Sequence, residues 1–258
     1  MNNLVIVAGA TSDIAKAYIK SFSKDAKIIG ISRRKANLNQ NNFTSFVCDL
    51  LDRHMVFDLF NKINLDAIDK IIFIHTIGDD VFECVNYPQI DMIDTINPLV
   101  YATNVNTFKN PLDALINKLN KLNNIGKNIK LNVFFLGAIT DKYNIPFFTS
   151  FRESKNLLRA HLENLTKRYN WLKGMTINVS TVKTKLSLRY RPYAHTSYWL
   201  TPQEVVDKSM DEIINLNESY KEIEIFKFDP NFEKDYYINN DKIYKKWVKE
   251  MYNKDWKK

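Results

Sequence analysis

The sequence predicts an α/β fold, a doubly wound parallel sheet with helices on both faces, in a single domain of 258 residues. Short runs of apolar residues alternate along the chain with segments of helical periodicity. Continuous apolar runs are typical of parallel strands covered on both faces, and their alternation with helices is typical of βαβ units. A hydrophobic content of 45% allows one large core. We therefore expect ligands to bind outside the carboxyl ends of the strands.

The individual elements follow from residue type and period. Each predicted strand is a short run rich in Val, Ile, Leu or Phe, and each predicted helix has apolar residues three and four positions apart. Because proline lacks an amide proton, we expect the helix over 101–122 to be interrupted near Pro111. The first half of the chain contains, in order, strand 4–8, helix 14–22, strand 26–31, strand 44–48, helix 55–63 and strand 70–75. The second half contains helix 101–122, strand 130–136, helix 151–169, strand 175–179, helix 202–214 and strand 222–228.

Composition narrows the classes of function and of location. The net charge of +8 comes with lysines spread along the chain and no recognisable nucleic-acid module, so we expect no nucleic-acid partner. Cys48 and Cys84 lack the spacing of metal ligands, so we expect no metal site. The chain opens without the features of a signal peptide, and no apolar run approaches the roughly 20 residues of a membrane span. These features predict a cytoplasmic, reduced protein.

The turn after the first predicted strand is a candidate phosphate site. It combines a strand end, a tight turn of small residues and the start of a helix, where free amides and the helix dipole favour an anion. Only one glycine stands in this turn, so a plain helix-starting turn is the alternative. The residues that we expect to contact a pyrophosphate are Gly9, Thr11, Ser12, Asp13 and Ile14.

The end of the second predicted strand indicates which dinucleotide binds. An acidic residue at this place binds the ribose hydroxyls of NAD, whereas arginine accommodates the 2′-phosphate of NADP. Here the strand ends in Ser32, Arg33 and Arg34, with no carboxylate. The guanidinium groups therefore favour NADP(H) as the cofactor. A solvated pair of loop arginines is the alternative.

These motifs, in their order and spacing from Val5 to about Phe228, resemble those of the short-chain dehydrogenase/reductase family. That family has a Thr-Gly-x-x-x-Gly-x-Gly turn, in which this chain has Ala8, Asp13 and Ala15 at the Thr and at the second and third Gly. The resemblance implies a Rossmann-like, dinucleotide-binding domain over residues 1–258. It also implies an NADP(H)-dependent oxidoreductase acting on a small molecule.

The resemblance adds further cofactor-binding positions. His75 stands at the first Asn of the family's Asn-Asn-Ala-Gly motif, either as a functional donor or as a satisfied buried histidine. An Asp after the third strand touches the adenine in the family, and a Pro-Gly-x-x-x-Thr segment follows the sixth. On these grounds we expect cofactor contacts from Asp49, Leu50, Gly78, Lys155, Val182 and Thr184.

The catalytic motif of the family is incomplete in this sequence. The family uses Asn, Ser, Tyr and Lys, with Tyr and Lys one helical turn apart so that the ammonium lowers the pKa of the phenol. Asn106 and Lys155 match, but Phe151 stands at the Tyr position, and phenylalanine cannot donate a proton. Gly137 or Ala138 stands at the Ser position.

Three interpretations of this loss remain open. In the first, the proton donor is displaced, and the candidates are Thr140, Tyr143, Thr149 and Ser150. In the second, Lys155 or water serves a substrate that needs no phenol. In the third, catalysis is lost, and the chain is an inactive NADP(H)-binding sensor or scaffold.

Two further segments bear on the substrate and the partners. The resemblance implies a lid over the substrate at about 186–201, where Arg189 and Arg191 suit a phosphate or carboxylate. Tyr193 and Phe151 would suit a sugar ring, so we expect a phosphorylated or nucleotide-linked sugar, in surface-polysaccharide synthesis. The alternative is that the aromatic residues of the lid pack at an oligomer interface or at the base of the lid itself. The basic-aromatic segment at about 229–258 either packs on its own domain or a sister subunit, or docks on an anionic membrane. We expect a homodimer or homotetramer.

Overall fold

The structure, a computed structural model, describes residues 2–22, 26–79, 84–85, 91–92, 96–143, 148–228 and 240–255. Its strands are β1 (Asn3–Ala8), β2 (Lys27–Ser32), β3 (Phe43–Val47), β4 (Lys70–His75), β5 (Cys84–Val85), β6 (Asp91–Met92), β7 (Lys130–Ala138), β8 (Leu172–Val179) and β9 (Tyr220–Ile225). Its helices are α1 (Asp13–Ser21), α2 (Arg53–Lys62), α3 (Pro98–Asn124), α4 (Ile139–Lys142), α5 (Thr149–Arg168), α6 (Lys185–Tyr190), α7 (Pro202–Ile214) and α8 (Asn240–Tyr252). A 3₁₀ turn spans Thr196–Tyr198.

The main sheet has seven strands in the order β3-β2-β1-β4-β7-β8-β9, and every pairing is parallel. The order reverses beside β1, which pairs with β2 on one side and with β4 on the other. A separate two-stranded antiparallel ladder joins β5 and β6. The predicted doubly wound parallel sheet is therefore confirmed, and its switch point lies at the carboxyl end of β1.

Each face of the sheet is covered by its own helical layer. Leu4 and Ile6 belong to the core beneath α2, α3 and α5, whereas Val5 and Val7 belong to the core beneath α1 and α7. Successive residues of a strand point to opposite faces, and all four side chains are fully buried because helices cover both faces. This double burial explains why the strands are continuous apolar runs in the sequence.

The interruption expected near Pro111 is wrong, because α3 continues through this proline. The helix face that includes Phe108, Leu112, Leu115 and Leu119 is at most 1% exposed. Its packing offsets the backbone hydrogen bond that proline cannot make.

The start of α3 also lies earlier than the sequence predicted. Asn97 accepts hydrogen bonds from the Leu99 and Val100 amides, and Pro98 occupies the first helical turn. An Asn cap followed by Pro is a helix-start signal that the sequence carried.

The C-terminal helix α8 packs against its own domain. Ile243, Trp247 and Val248 are between 0% and 5% exposed, so the apolar face of α8 is buried within the chain. Of the alternatives open for this segment, the structure shows the intramolecular one for residues 240–252; residues 229–239 lie outside the described part. No helix within the described ranges is long and apolar enough to cross a membrane.

Candidate functional site

A cavity of about 1070 Å³ opens at the carboxyl edge of the sheet. It runs from the turn between β1 and α1 to the lid, past the ends of β2, β4, β7 and β8. Every position predicted to bind the cofactor lines this cavity: Gly9, Thr11, Ser12, Asp13, Ile14, Ser32, Arg33, Arg34, Asp49, Leu50, Gly78, Lys155, Val182 and Thr184.

The turn after β1 has the geometry of an anion site. Gly9 has φ +84°, and a Cβ there would lie 2.8 Å from Thr76 Oγ1 and from Ile77 Cγ1, so only glycine lets the turn pass so close to the loop after β4. Ser12 caps α1 by accepting the Ala15 amide, and its hydroxyl lies 3.0 Å from that of Thr76. The turn is therefore held from two sides.

Three amides at this turn remain available to a ligand. Within the described chain, the backbone N–H groups of Thr11, Asp13 and Ile14 have no protein acceptor. The Asp13 carboxylate contacts the lid, where its Oδ2 lies 3.4 Å from the backbone nitrogen of Lys185. The carboxylate that stands at a family glycine is thus engaged outside the turn.

The outer end of the cavity combines basic and polar groups. Arg33 and Arg34 follow β2 and are both exposed at the rim. Asp49 accepts the Leu51 amide at 3.0 Å, which fixes the loop after β3. Cys48 beside it is 2% exposed, and burial raises the pKa of its thiol to about 11, so it is a poor nucleophile. This end suits recognition of a charged ligand rather than chemistry.

The inner end of the cavity contains Phe151 and Lys155, one turn apart on α5. Lys155 is 1% exposed, and its Nζ lies 5.1 Å from the centroid of the Phe151 ring and 5.9 Å from that of Phe135. Gly78 brings the loop after β4 alongside, since a Cβ there would be 3.4 Å from Phe151 and 3.8 Å from Lys155 Nζ. A buried ammonium therefore faces an aromatic ring where the family has a phenol.

The structure corrects the predicted asparagine. Asn106 is exposed and does not line the cavity, whereas Asn104, two residues earlier on α3, is fully buried. The Asn104 amide bonds reciprocally to the Asp79 backbone, at 2.7 and 2.9 Å, and donates to the Ser154 hydroxyl at 3.0 Å. Residues two apart on a helix lie on different faces, so only one of the two asparagines can point inward. Asn104 ties the loop after β4 to α5.

The Ser position lies on a strand end that is tightly packed. A Cβ on Gly137 would overlap Asn178 Oδ1 and lie 2.9 Å from Thr176 Cγ2, so a serine there would force these side chains to shift. Ala138 is half-buried, and its amide donates to Asp141 at 2.8 Å. Both residues line the cavity without offering a side-chain hydroxyl.

The displaced-donor candidates fall into two groups. Thr140 lines the cavity, and its buried hydroxyl oxygen has no hydrogen-bond partner within the described residues. Tyr143 does not line it, and its ring lies 6.2 Å from that of Phe226, which corrects its place among the donor candidates. Thr149 and Ser150 are buried outside the cavity lining. Thr140 is therefore the hydroxyl candidate of the four that the geometry retains.

His75 is a buried neutral histidine. Its Nε2 lies 3.1 Å from the Thr107 hydroxyl, which itself donates to the Thr103 carbonyl, so Nε2 carries the proton. Nδ1 has no partner within the described part of the chain. Burial and, to a lesser degree, the nearby Lys155 ammonium hold the pKa of His75 well below its usual range. His75 does not line the cavity, so the satisfied-histidine interpretation holds for one of its two nitrogens.

The predicted lid residues differ in whether they line the cavity and in whether their charge is free for a ligand. Arg189 is exposed and lines the cavity, whereas Tyr193 is 60% exposed and does not, which corrects its predicted place in the site. Arg191 lines the cavity but forms an ion pair with Glu250 of α8 at 3.2 Å. Its guanidinium lies between the rings of Trp199 and Trp247.

Sequence reasoning missed several lining residues, of which Asp79 and Trp247 bear most on the inner end of the cavity. Asp79 follows Gly78 and contributes a carboxylate next to the inner end of the cavity. Trp247 reaches the cavity from α8, far along the chain. Only the helical periodicity of the C-terminal segment signalled α8, and nothing in that pattern indicated where the helix would pack.

Comparisons with known proteins extend this description. No family model matches the chain, and no curated protein matches it. A 3-ketoacyl-(acyl-carrier-protein) reductase from Brucella melitensis, solved with NADH, has a TM-score of 0.69 at 14% identity, covering 87% of this chain and 96% of that one. An oxidoreductase of the short-chain dehydrogenase/reductase family from Burkholderia thailandensis has a TM-score of 0.69 at 11% identity over 100% of both chains.

A third solved structure has phenylalanine introduced in place of a tyrosine. It is a variant of ElxO with NADPH bound, with a TM-score of 0.69 at 13% identity, covering 87% of this chain and 98% of that one. These likenesses, all at low identity, concern the fold. The chain therefore has the fold of the short-chain dehydrogenases/reductases.

Proposed function

We propose that the chain is an NADP(H)-dependent oxidoreductase that acts on a small molecule. One observation carries the proposal: a single cavity joins the open amides after β1, the arginine pair after β2 and the buried Lys155 ammonium. Along NADP(H), the 2′-phosphate, the pyrophosphate and the nicotinamide follow one another, and the arginine pair, the open amides and Lys155 would serve them in that sequence. Structural neighbours that were solved with NADH or NADPH agree with a nicotinamide cofactor.

The outer half of the cavity fits the phosphates of NADP(H). The amides of Thr11, Asp13 and Ile14 are open to an anion at the start of α1. Arg33 and Arg34 are exposed at the rim, and no carboxylate follows β2 directly. Charge therefore favours the 2′-phosphate over a free ribose hydroxyl. The preference for NADP(H) over NAD(H) rests on this pair.

The inner half must handle a proton without the family phenol. A bound nicotinamide would supply the hydride acceptor or donor. Lys155 holds the positive charge nearest the Phe151 ring, and we assign it the exchange of a proton with the substrate oxygen, directly or through one water. Asn104 orients this end by holding the Asp79 backbone and the Ser154 hydroxyl in place. The Thr140 hydroxyl is the second candidate for contact with the substrate oxygen.

A cofactor-binding sensor or scaffold is the second candidate function. The family places two hydroxyls, from Tyr and Ser, at the reacting oxygen. This chain lacks both, because Phe151 stands at the Tyr position and Gly137 or Ala138 at the Ser position. The ElxO variant with NADPH bound shows, for that protein, that a phenylalanine introduced for a tyrosine is compatible with cofactor binding. Binding without turnover would be the signature of this function.

Calorimetric titration with NADPH and NADH tests the proposal. The wild-type chain should bind NADPH more tightly than NADH, and the double variant Arg33→Ala/Arg34→Ala should lose that preference while its NADH affinity stays unchanged. Oxidation of NADPH in the presence of a panel of small aldehydes and ketones then separates enzyme from sensor. Lack of binding of either dinucleotide would refute both functions.

The class of substrate, the oligomeric state and the location are further proposals. For the phosphorylated sugar of surface-polysaccharide synthesis that the sequence favours, Arg189, exposed on the lid, supports the anionic group, whereas Tyr193, expected against the sugar ring, does not line the cavity. We also propose a homodimer or homotetramer, in which the exposed Leu99 of α3 and Leu157 of α5, 77% and 40% exposed, are candidate interface residues. Sedimentation of the purified chain measures its oligomeric state. The fold of the neighbours is compatible with a cytoplasmic location.

A further inference from the structure

We infer that the substrate carries an aromatic or aliphatic group that packs against an aromatic wall at the inner end of the cavity. The wall consists of Phe148, Phe151 and Trp247, which all line the cavity. This inference rests on the proposed function, because it names the class of substrate for the same site. It also assigns specificity to Trp247, a residue of the C-terminal helix.

The wall is one packed surface although its residues come from two parts of the chain. Phe148 precedes α5, Phe151 lies in its first turn, and Trp247 lies on α8. The Phe148 and Trp247 rings are in edge-to-face contact, with centroids 5.4 Å apart. Phe148 is 9% exposed and Trp247 is 5% exposed, so both rings are held rigidly by the surrounding core.

Arg191 positions this wall and does not serve as an anion site. Its guanidinium carbon lies 4.6 Å from the Trp199 centroid and 4.9 Å from the Trp247 centroid, and its Nη1 lies 3.2 Å from the Glu250 carboxylate. It also donates to the Thr181 hydroxyl. Since the Glu250 carboxylate balances its charge and both terminal nitrogens donate, one to Glu250 and one to Thr181, a substrate phosphate gains little from Arg191.

A second tie fixes α8 over the lid. The Tyr193 amide donates to the Glu250 carbonyl, in the last turn of α8, at 2.9 Å. Lys246 lies 3.9 Å from the Glu250 carboxylate and balances it further. The lid and α8 are therefore joined by backbone and side-chain contacts, and Trp247 is held where it lines the cavity.

These features discriminate between substrate chemistries. A hydroxyl-rich ring placed against the wall would give up hydrogen bonds to water, and the faces of the Phe148, Phe151 and Trp247 rings offer it no conventional donor or acceptor in return. An aromatic or aliphatic group loses no hydrogen bonds there and gains contact area. Arg189 remains exposed for an anionic group elsewhere on the same molecule.

The test uses the full chain saturated with NADP⁺, with benzyl alcohol and glucose 6-phosphate as probes in saturation-transfer NMR titrations. We expect benzyl alcohol to bind with its ring protons most strongly saturated. Trp247→Ala should weaken that binding by about tenfold or more, within the range for groups lost from an apolar pocket. Trp171→Ala, which alters a tryptophan that does not line the cavity, is the matched control and should leave it unchanged.

Binding of glucose 6-phosphate in preference to benzyl alcohol, or benzyl alcohol binding that Trp247→Ala does not change, would overturn the inference. Should Trp247→Ala fail to fold, Phe148→Leu probes the same wall with a smaller loss of volume. Calorimetry with NADP⁺ alone tests the proposed function separately from the aromatic wall. If NADP⁺ does not bind, the proposed function fails, and benzyl alcohol titrated into the free chain still tests the wall.

Discussion

The ion pair between Arg191 and Glu250 makes a quantitative prediction about stability. The two side chains are 11% and 9% exposed, so the pair is nearly buried. Removing one partner of a buried pair leaves an uncompensated charge and costs about 3–5 kcal/mol. Glu250→Gln leaves Arg191 with the Thr181 hydroxyl and two indole rings. We therefore expect the lower end of the range, a loss of about 3 kcal/mol in the free energy of unfolding.

The assay is urea denaturation followed by tryptophan fluorescence, since Trp199 and Trp247 flank the pair. Glu163→Gln is the matched control, because Glu163 pairs with Lys167 on the surface of α5 at 2.7 Å, with side chains 43% and 67% exposed. Exposed pairs one turn apart on a helix contribute about 0.3–0.5 kcal/mol. Equal, small losses in both variants would refute the reasoning that Arg191 is a buried, structurally committed cation.

Two further predictions concern the core around the site. Gly137→Ser should lower the free energy of unfolding by about 1–3 kcal/mol, because the new Cβ overlaps the side-chain amide of Asn178. Ala138→Ser should change it by less than about 0.5 kcal/mol. Thermal unfolding measures both variants, and a larger loss in Ala138→Ser than in Gly137→Ser would contradict this prediction. Because the folded-state pKa of His75 is lowered, the unfolded chain binds the extra proton, so stability is full above about pH 6.5 and falls by about 1.4 kcal/mol per pH unit below it. His75→Gln should remove that part of the acid sensitivity in urea titrations at pH 5 to 7, and an unchanged pH profile would exclude His75 as its source.

Much of the fold could be predicted because burial on both faces of a parallel strand leaves a direct trace in the sequence. The run at residues 70–75 predicted β4 to the residue, and the 202–214 pattern predicted α7 in the same way. Pro111 misled the prediction, since local propensity at one position is outweighed by the buried face of a long helix.

The site could be predicted only where local sequence determines geometry. The turn after β1 is made by consecutive residues, so Gly9 and its neighbours could be placed from their order alone. Asn104 and Asn106 could not be separated, because the rotation of α3 is set by packing against the sheet rather than by the Asn-x-Asn pattern. Trp247 was out of reach for the same reason, since its contact with Phe148 joins residues about 100 positions apart in the chain.

The most direct test of the central claim is a crystal structure of the chain with NADPH. We expect the pyrophosphate on the amides of Thr11, Asp13 and Ile14. The 2′-phosphate should lie beside Arg33 and Arg34, and the nicotinamide next to Phe151 and Lys155. The proposed function would be contradicted if NADPH bound outside this cavity, or bound in it with the nicotinamide turned away from Lys155.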